Sequence, residues 1–125
     1  MRDVNERIML IGELLAQIEA NIEHLTEKRA ELGTALEAIA TLENEDTDAL
    51  IPLSQGIYIS AHIPRPERFI VGVGSDVLVE KSAADLTHYI QDRIKDIETS
   101  LERLREQYAQ LAREYEQIKK VTENV

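Results

Sequence analysis

Residues 50–81 read LIPLSQGIYISAHIPRPERFIVGVGSDVLVEK, and this stretch decides the fold. It holds all three prolines of the chain and three of its five glycines. Its apolar residues recur with a period of two, the spacing of strands that bury one face. Ile57, Ile59, Ala61 and Ile63 share one side, while Tyr58, Ser60 and His62 take the other. Phe69, Val71 and Val73 share a face, and so do Val77 and Val79. Turn residues punctuate the runs at Ser54-Gln55-Gly56, at Pro64-Arg65-Pro66-Glu67 and at Ser75-Asp76. Asp76 falls where a tight two-residue turn needs positive φ, which aspartate tolerates. The stretch reads as four short strands forming two consecutive β-hairpins.

On both sides the period changes. From about residue 5 to 45 the apolar series is Ile8, Ile11, Leu15, Ile18, Ile22, Leu25, then Leu32, Leu36 and Ile39. Steps of three and four alternate, which is the heptad of a coiled-coil seam. Arg29 occupies the one missing beat. Its stem can pack while its charge reaches out, or it can set register against a neighbour. From about residue 83 to 125 a second series runs Ile90, Ile94, Ile97, Leu101, Leu104, Tyr108, Leu111, Tyr115 and Ile118. Ser82 with Asp85 three residues on resembles a capping box, a helix-start signal. At ~1.5 Å per residue each helix is roughly 60 Å long. Equal lengths suit two helices folded back antiparallel. Matching Glu45 with Asp85 sets Glu27 near Arg103, and Glu23 near Arg105 or Gln107.

Composition agrees with the pattern. Ala, Glu, Lys, Leu and Arg make up 57 of 125 residues, close to a long-helix composition. With no Trp and one Phe, the chain lacks the aromatic mass of a round core. The absence of cysteine excludes disulfides, thiolate zinc sites and cysteine nucleophiles. A net charge of −10 argues against binding nucleic acid, which requires neutralising phosphates. No apolar run is long enough to span a membrane, and no secretory leader is evident. The expected location is the cytoplasm. The chain is expected to be a single subunit over residues 1–125: helix, strand block, helix.

This architecture makes two demands. Four short strands expose edges and an apolar face that the helices cannot easily cover, and exposed edges template aggregation. The hairpin residues Ile57, Ile59, Ile63, Phe69, Val71, Val73, Val77 and Val79 are therefore expected to meet hairpins of other chains in a barrel-like core. The second demand concerns the termini. The first helix carries a narrow stripe that widens at its start, where Val4, Met9, Leu10 and Leu14 flank Ile8, Ile11 and Leu15. At the other terminus Val121 and Val125 lie beside Ile118. Surplus apolar surface thus collects at one tip, as at an interaction site; widened packing of a fraying end is the plainer reading. The ladder Glu19, Glu23, Glu27 and Glu31 reads as a solvated face, or else as a contact for a basic partner or an adaptation to salt.

Other motifs carry little. Gly72-Val73-Gly74 lacks the third glycine of a dinucleotide loop and runs between strands. Asp46-Thr47-Asp48 lacks the glycine and glutamate of a calcium loop and reads as a loop that ends the helix. His24, His62 and His88 share no ligand spacing. A catalytic carboxylate pair needs a pocket to separate its pKa values, which a helical hairpin does not offer. No enzyme, metal or cofactor is expected.

The segments Pro52-Leu53-Ser54-Gln55-Gly56-Ile57-Tyr58-Ile59-Ser60-Ala61, Phe69-Ile70-Val71-Gly72-Val73-Gly74 and Val77-Leu78-Val79-Glu80-Lys81-Ser82 resemble those of prefoldin alpha subunits. The whole chain follows that family's order of helix, two hairpins, helix; the related beta subunits have a single hairpin. Ser54, Gln55 and Asp76 stand where the family often has glycine. The resemblance implies a hexameric co-chaperone of two alpha with four prefoldin beta subunits, whose hairpins build a double β-barrel body. It implies that the coiled-coil tips hold unfolded polypeptides and deliver them to a cytosolic group II chaperonin without nucleotide. The alternative is a coiled-coil scaffold, or a prefoldin-like homo-oligomer or filament without client transfer.

Overall fold

A computed structural model describes residues 2–123. The order of elements is α1 (Arg2–Asn44), β1 (Thr47–Ser54), β2 (Ile57–Ile63), β3 (Phe69–Gly74), β4 (Val77–Lys81) and α2 (Ala83–Glu123). Two long helices bracket two antiparallel hairpins, β1–β2 and β3–β4. The chain divides into two compact units, one of Met1–Ala30 with Ile94–Val125 and one of Glu31–Arg93.

The first unit is a pair of helical segments. Arg7 pairs with Glu114, Glu19 accepts from Tyr108, and Arg29 donates to Glu98. Partners on α2 fall in number as those on α1 rise, so the segments are antiparallel. Ile11, Ile18, Ile97 and Leu101 are buried between them. All four lie on the alternating three-and-four series. At ~1.5–3 kcal/mol for each fully buried aliphatic side chain, this seam is the main source of cohesion. Arg29 is not packed into the seam. Its Nε and Nη2 donate to Glu98 Oε1 at 2.9 and 2.6 Å, across the two segments.

The register differs from the expected one. Pairing Glu27 with Arg103 would set Arg29 opposite Leu101 and Glu19 opposite Leu111. Instead Arg29 meets Glu98 and Glu19 meets Tyr108, three residues earlier on α2 in each case. The expectation took Glu45 and Asp85 as the helix ends. The shift is not uniform, because Arg7 pairs with Glu114, nine residues before its expected position; the helices themselves stop at Asn44 and start at Ala83.

The second unit holds the hairpins with the adjoining helical segments. Ile39, Leu86 and Ile90 are buried there. Ser82 caps α2: its Oγ accepts from Asp85 N at 3.2 Å, and its carbonyl accepts from Leu86 N at 2.9 Å. The β3–β4 turn is Ser75-Asp76, with φ of 48° and 62°, the paired left-handed residues of a tight hairpin turn. In the β1–β2 turn only Gly56 is left-handed, at φ 82°. Asp46-Thr47-Asp48 is not simply the loop expected. Thr47 and Asp48 already belong to β1, opposite Ile63 and His62.

Candidate functional site

The hairpins present their apolar residues to solvent. On β1–β2, Ile51 stands across from Ile59 on one face, and Leu50 and Tyr58 lie on the other. All four are exposed, as are Leu53 and Ile57. On β3–β4, Val71 stands across from Val79, and both are half-buried within the unit. Val73 and Val77 near the turn are exposed, while Ile63 and Phe69 are half-buried. Ile70 and Leu78 on the opposite face are among the most exposed large apolar side chains described.

Each hairpin therefore has a second apolar face beside the one expected from the sequence, Leu50 with Tyr58 on β1–β2 and Ile70 with Leu78 on β3–β4. A signal was available. Leu50-Ile51, Ile57-Tyr58-Ile59, Phe69-Ile70-Val71 and Val77-Leu78-Val79 are continuous apolar runs, which mark strands covered on both sides. Each hairpin is a two-stranded sheet and has two outer edges. Isolated two-stranded hairpins are marginal in water.

The second apolar surface lies where the start of α1 meets the end of α2 in the first unit. Met9 is 67% exposed, Val121 61%, Leu10 56% and Leu14 39%. Val4, Ile8 and Ile118 are half-buried. Ile11, grouped with them from the sequence, is 4% exposed and joins the seam, so it supports the surface from beneath. Val125 lies outside the described residues. A cleft of about 460 Å³ opens here, lined by Val4, Ile118, Gln117, Asp3 and the Arg7–Glu114 pair. It is an apolar floor with a charged rim.

One polar cluster stands out. His62 Nδ1 lies 2.9 Å from Asp48 Oδ1, and its Nε2 lies 3.5 Å from Asp46 Oδ2. Asp46 Oδ1 also accepts from the Arg65 backbone N–H at 2.8 Å. The hydrogen bond to Asp48, with both carboxylate charges, raises the His62 pKa above its ordinary value. The cluster ties the end of β2 to the entry of β1. In the first unit, Tyr108 donates to Glu19 at 2.9 Å, which raises the pKa of the phenol.

Among the described residues, no three His, Cys, Asp or Glu side chains come together to hold a metal ion. No helix among them is long and apolar enough to cross a membrane.

Comparison with known proteins agrees with this picture. The prefoldin subunit family model matches residues 11–125. The chain is 30% identical to the prefoldin alpha subunit of Methanoculleus marisnigri, over 92% of this chain and 85% of that protein. It is 38% identical to the alpha subunit of Methanoregula boonei over 90 residues, which span 66% of this chain and 58% of that relative. Among solved structures, filamentous PFD from Methanocaldococcus jannaschii superposes with a TM-score of 0.75 at 22% identity, covering 97% of this chain and 99% of that one. That likeness bears on the fold alone. The match over nearly the whole length, together with helix, paired hairpins and helix in that order, establishes that the chain belongs to the prefoldin subunit family.

Proposed function

We propose that this chain is an alpha-type subunit of a cytoplasmic prefoldin, assembled as two alpha with four beta subunits through the hairpins. At the tip it holds unfolded polypeptides without nucleotide, for delivery to a group II chaperonin. The observation that carries this reading is the exposure of Met9, Leu10, Leu14 and Val121 together at one end of an otherwise charged helical pair. A non-native chain exposes apolar segments, and contact with this surface removes both from water. Met9 suits varied partners, because an unbranched thioether adapts its shape. Each tip contact is weak. Several tips on one assembly act together, and effective concentration supplies the affinity that one tip lacks. The net charge of −10 keeps the loaded assembly soluble.

The test is a holding assay with the double variant Leu10→Ser, Leu14→Ser. A denatured client is diluted into the assembled protein, and its aggregation is followed by light scattering. The variant is expected to lose protection while native mass spectrometry still finds the full assembly. Protection equal to that of the unaltered protein would refute the tip assignment. An unaltered assembly that holds no client would favour the scaffold reading.

A further inference from the structure

The two hairpins belong to separate sheets, so no ladder sets one against the other. They are joined by the connector Pro64-Arg65-Pro66-Glu67-Arg68. Its first three residues have little freedom. Pro64 and Pro66 have a fixed φ and no N–H, and Pro66 keeps Arg65 out of the helical region. Within this tripeptide only Arg65 carries a backbone donor. That donor meets a side chain: it donates to Asp46 Oδ1 at 2.8 Å, in the short segment between α1 and β1. Among the described residues, this is the hydrogen bond that anchors the connector outside the ladders.

The other oxygen of Asp46 faces His62. The ring's Nε2 lies 3.5 Å from Asp46 Oδ2, and its Nδ1 lies 2.9 Å from Asp48 Oδ1. Asp48 stands directly across from His62 in the β1–β2 ladder, so the ring is held from the neighbouring strand. Asp48 and Asp46 are the charged groups that act on it, and Arg65 enters the cluster through its backbone. In the protonated ring both nitrogens donate, and Asp46 is held between the ring and the Arg65 N–H. A neutral ring keeps one N–H. The shorter contact, to Asp48, retains it. Nε2 then turns a lone pair toward the Asp46 carboxylate, and the group that anchors the connector is repelled from its place.

We propose that His62 and Asp46 form a clasp on the β2–β3 connector, closed while the ring is protonated and opened by its deprotonation. The inference rests on the assembly reading above and adds a means of regulating it. Closed, the clasp holds the two hairpins of one subunit in a fixed relation for assembly; open, it lets each move without the other. The raised pKa of His62, due foremost to its hydrogen bond with Asp48, has the required sign. The clasp is closed below the ordinary imidazole value and opens as pH rises through the raised one.

Backbone hydrogen exchange in the full chain, resolved at Arg65 and corrected for its intrinsic pH dependence, reads the clasp directly. From about pH 5 to about pH 8.5, on either side of the imidazole range, protection of the Arg65 amide is expected to fall. The fall is at most about fivefold, the ceiling for exposed charged pairs. His62→Gln is expected to abolish the pH dependence, and Asp46→Ala to remove the protection throughout, with helical circular dichroism unchanged in both. In the assembled complex, exchange of isotope-labelled subunits, followed by native mass spectrometry, is expected to quicken over the same range and to lose that dependence in His62→Gln. Protection of Arg65 that is constant with pH, or that still varies in His62→Gln, overturns the clasp. So does protection that survives in Asp46→Ala. A responsive Arg65 in a complex whose subunit exchange ignores pH overturns the link to assembly. A chain that forms no complex overturns the assembly reading, while a responsive Arg65 in that chain still supports the clasp.

Discussion

His62 shows how much of a site depends on pairs that the sequence does not place together. Each ring nitrogen faces a carboxylate, Asp48 from β1 and Asp46 from the segment before it. The imidazolium form donates to both. A neutral ring can donate to one only and turns a lone pair toward the other. The folded pKa is raised, so the stabilising contribution is fully present below the ordinary imidazole value and is lost as pH rises through the raised one. Side-chain exposure makes that contribution small, but the titration itself is measurable. Following the His62 ring protons by NMR is expected to give a pKa above the ordinary value. Asp48→Asn is expected to lower it toward that value; an unmoved midpoint would mean that the contact is absent in solution. None of this was legible beforehand. Asp48 and His62 are neighbours only because β1 and β2 pair in one register, and Asp48, a poor strand former, hid where β1 begins. Arg29 was more legible. Its place on the seam raised a register role as one of two readings, and the structure shows it bound to Glu98.

Among the elements, the helices were the most readable part, because a three-and-four spacing sustained over tens of residues has few other meanings. The buried Ile11, Ile18, Ile39, Ile90, Ile97 and Leu101 all lie on that spacing. Leu86 was not counted, although it stands one four-residue step before Ile90. Helix ends were less readable, and a pairing register inherits every error made at the ends. The exception is the start of α2, which Ser82 signalled through its own chemistry. Ser82→Ala removes the acceptor for Asp85 N and is expected to destabilise the helix start by about 1 kcal/mol. Thermal unfolding at fixed protein concentration would show this as a lower midpoint. A midpoint equal to that of the unaltered chain would mean that water replaces the cap at no cost. The hairpin turns were legible at Gly56 and Asp76, and Ser75 proved to share the left-handed conformation.

At the scale of the whole molecule, the chain exposes more apolar surface than a subunit acting alone would need, and it does so in two different places. The proposed roles assign one surface to assembly and the other to clients, and substitution can separate them. Ile59 is 53% exposed and faces Ile51 across the β1–β2 ladder. Within one subunit, aspartate there keeps its hydration, so the fold loses little. Within an assembly that covers this face, the same carboxylate is desolvated without a partner, a cost of several kcal/mol. Ile59→Asp is therefore expected to leave helical circular dichroism intact while native mass spectrometry shifts from the complex to lone subunits. Holding should fall with it, because separate tips lose their avidity. Val71→Asp is expected to act in the same direction, but Val71 is already half-buried within its unit, so its effect mixes folding with assembly. Leu10→Ser with Leu14→Ser reverses the pattern, keeping the complex and losing the client. If Ile59→Asp formed a complex of ordinary mass, the β1–β2 face would not be an assembly surface, and its exposed isoleucines would need another occupant.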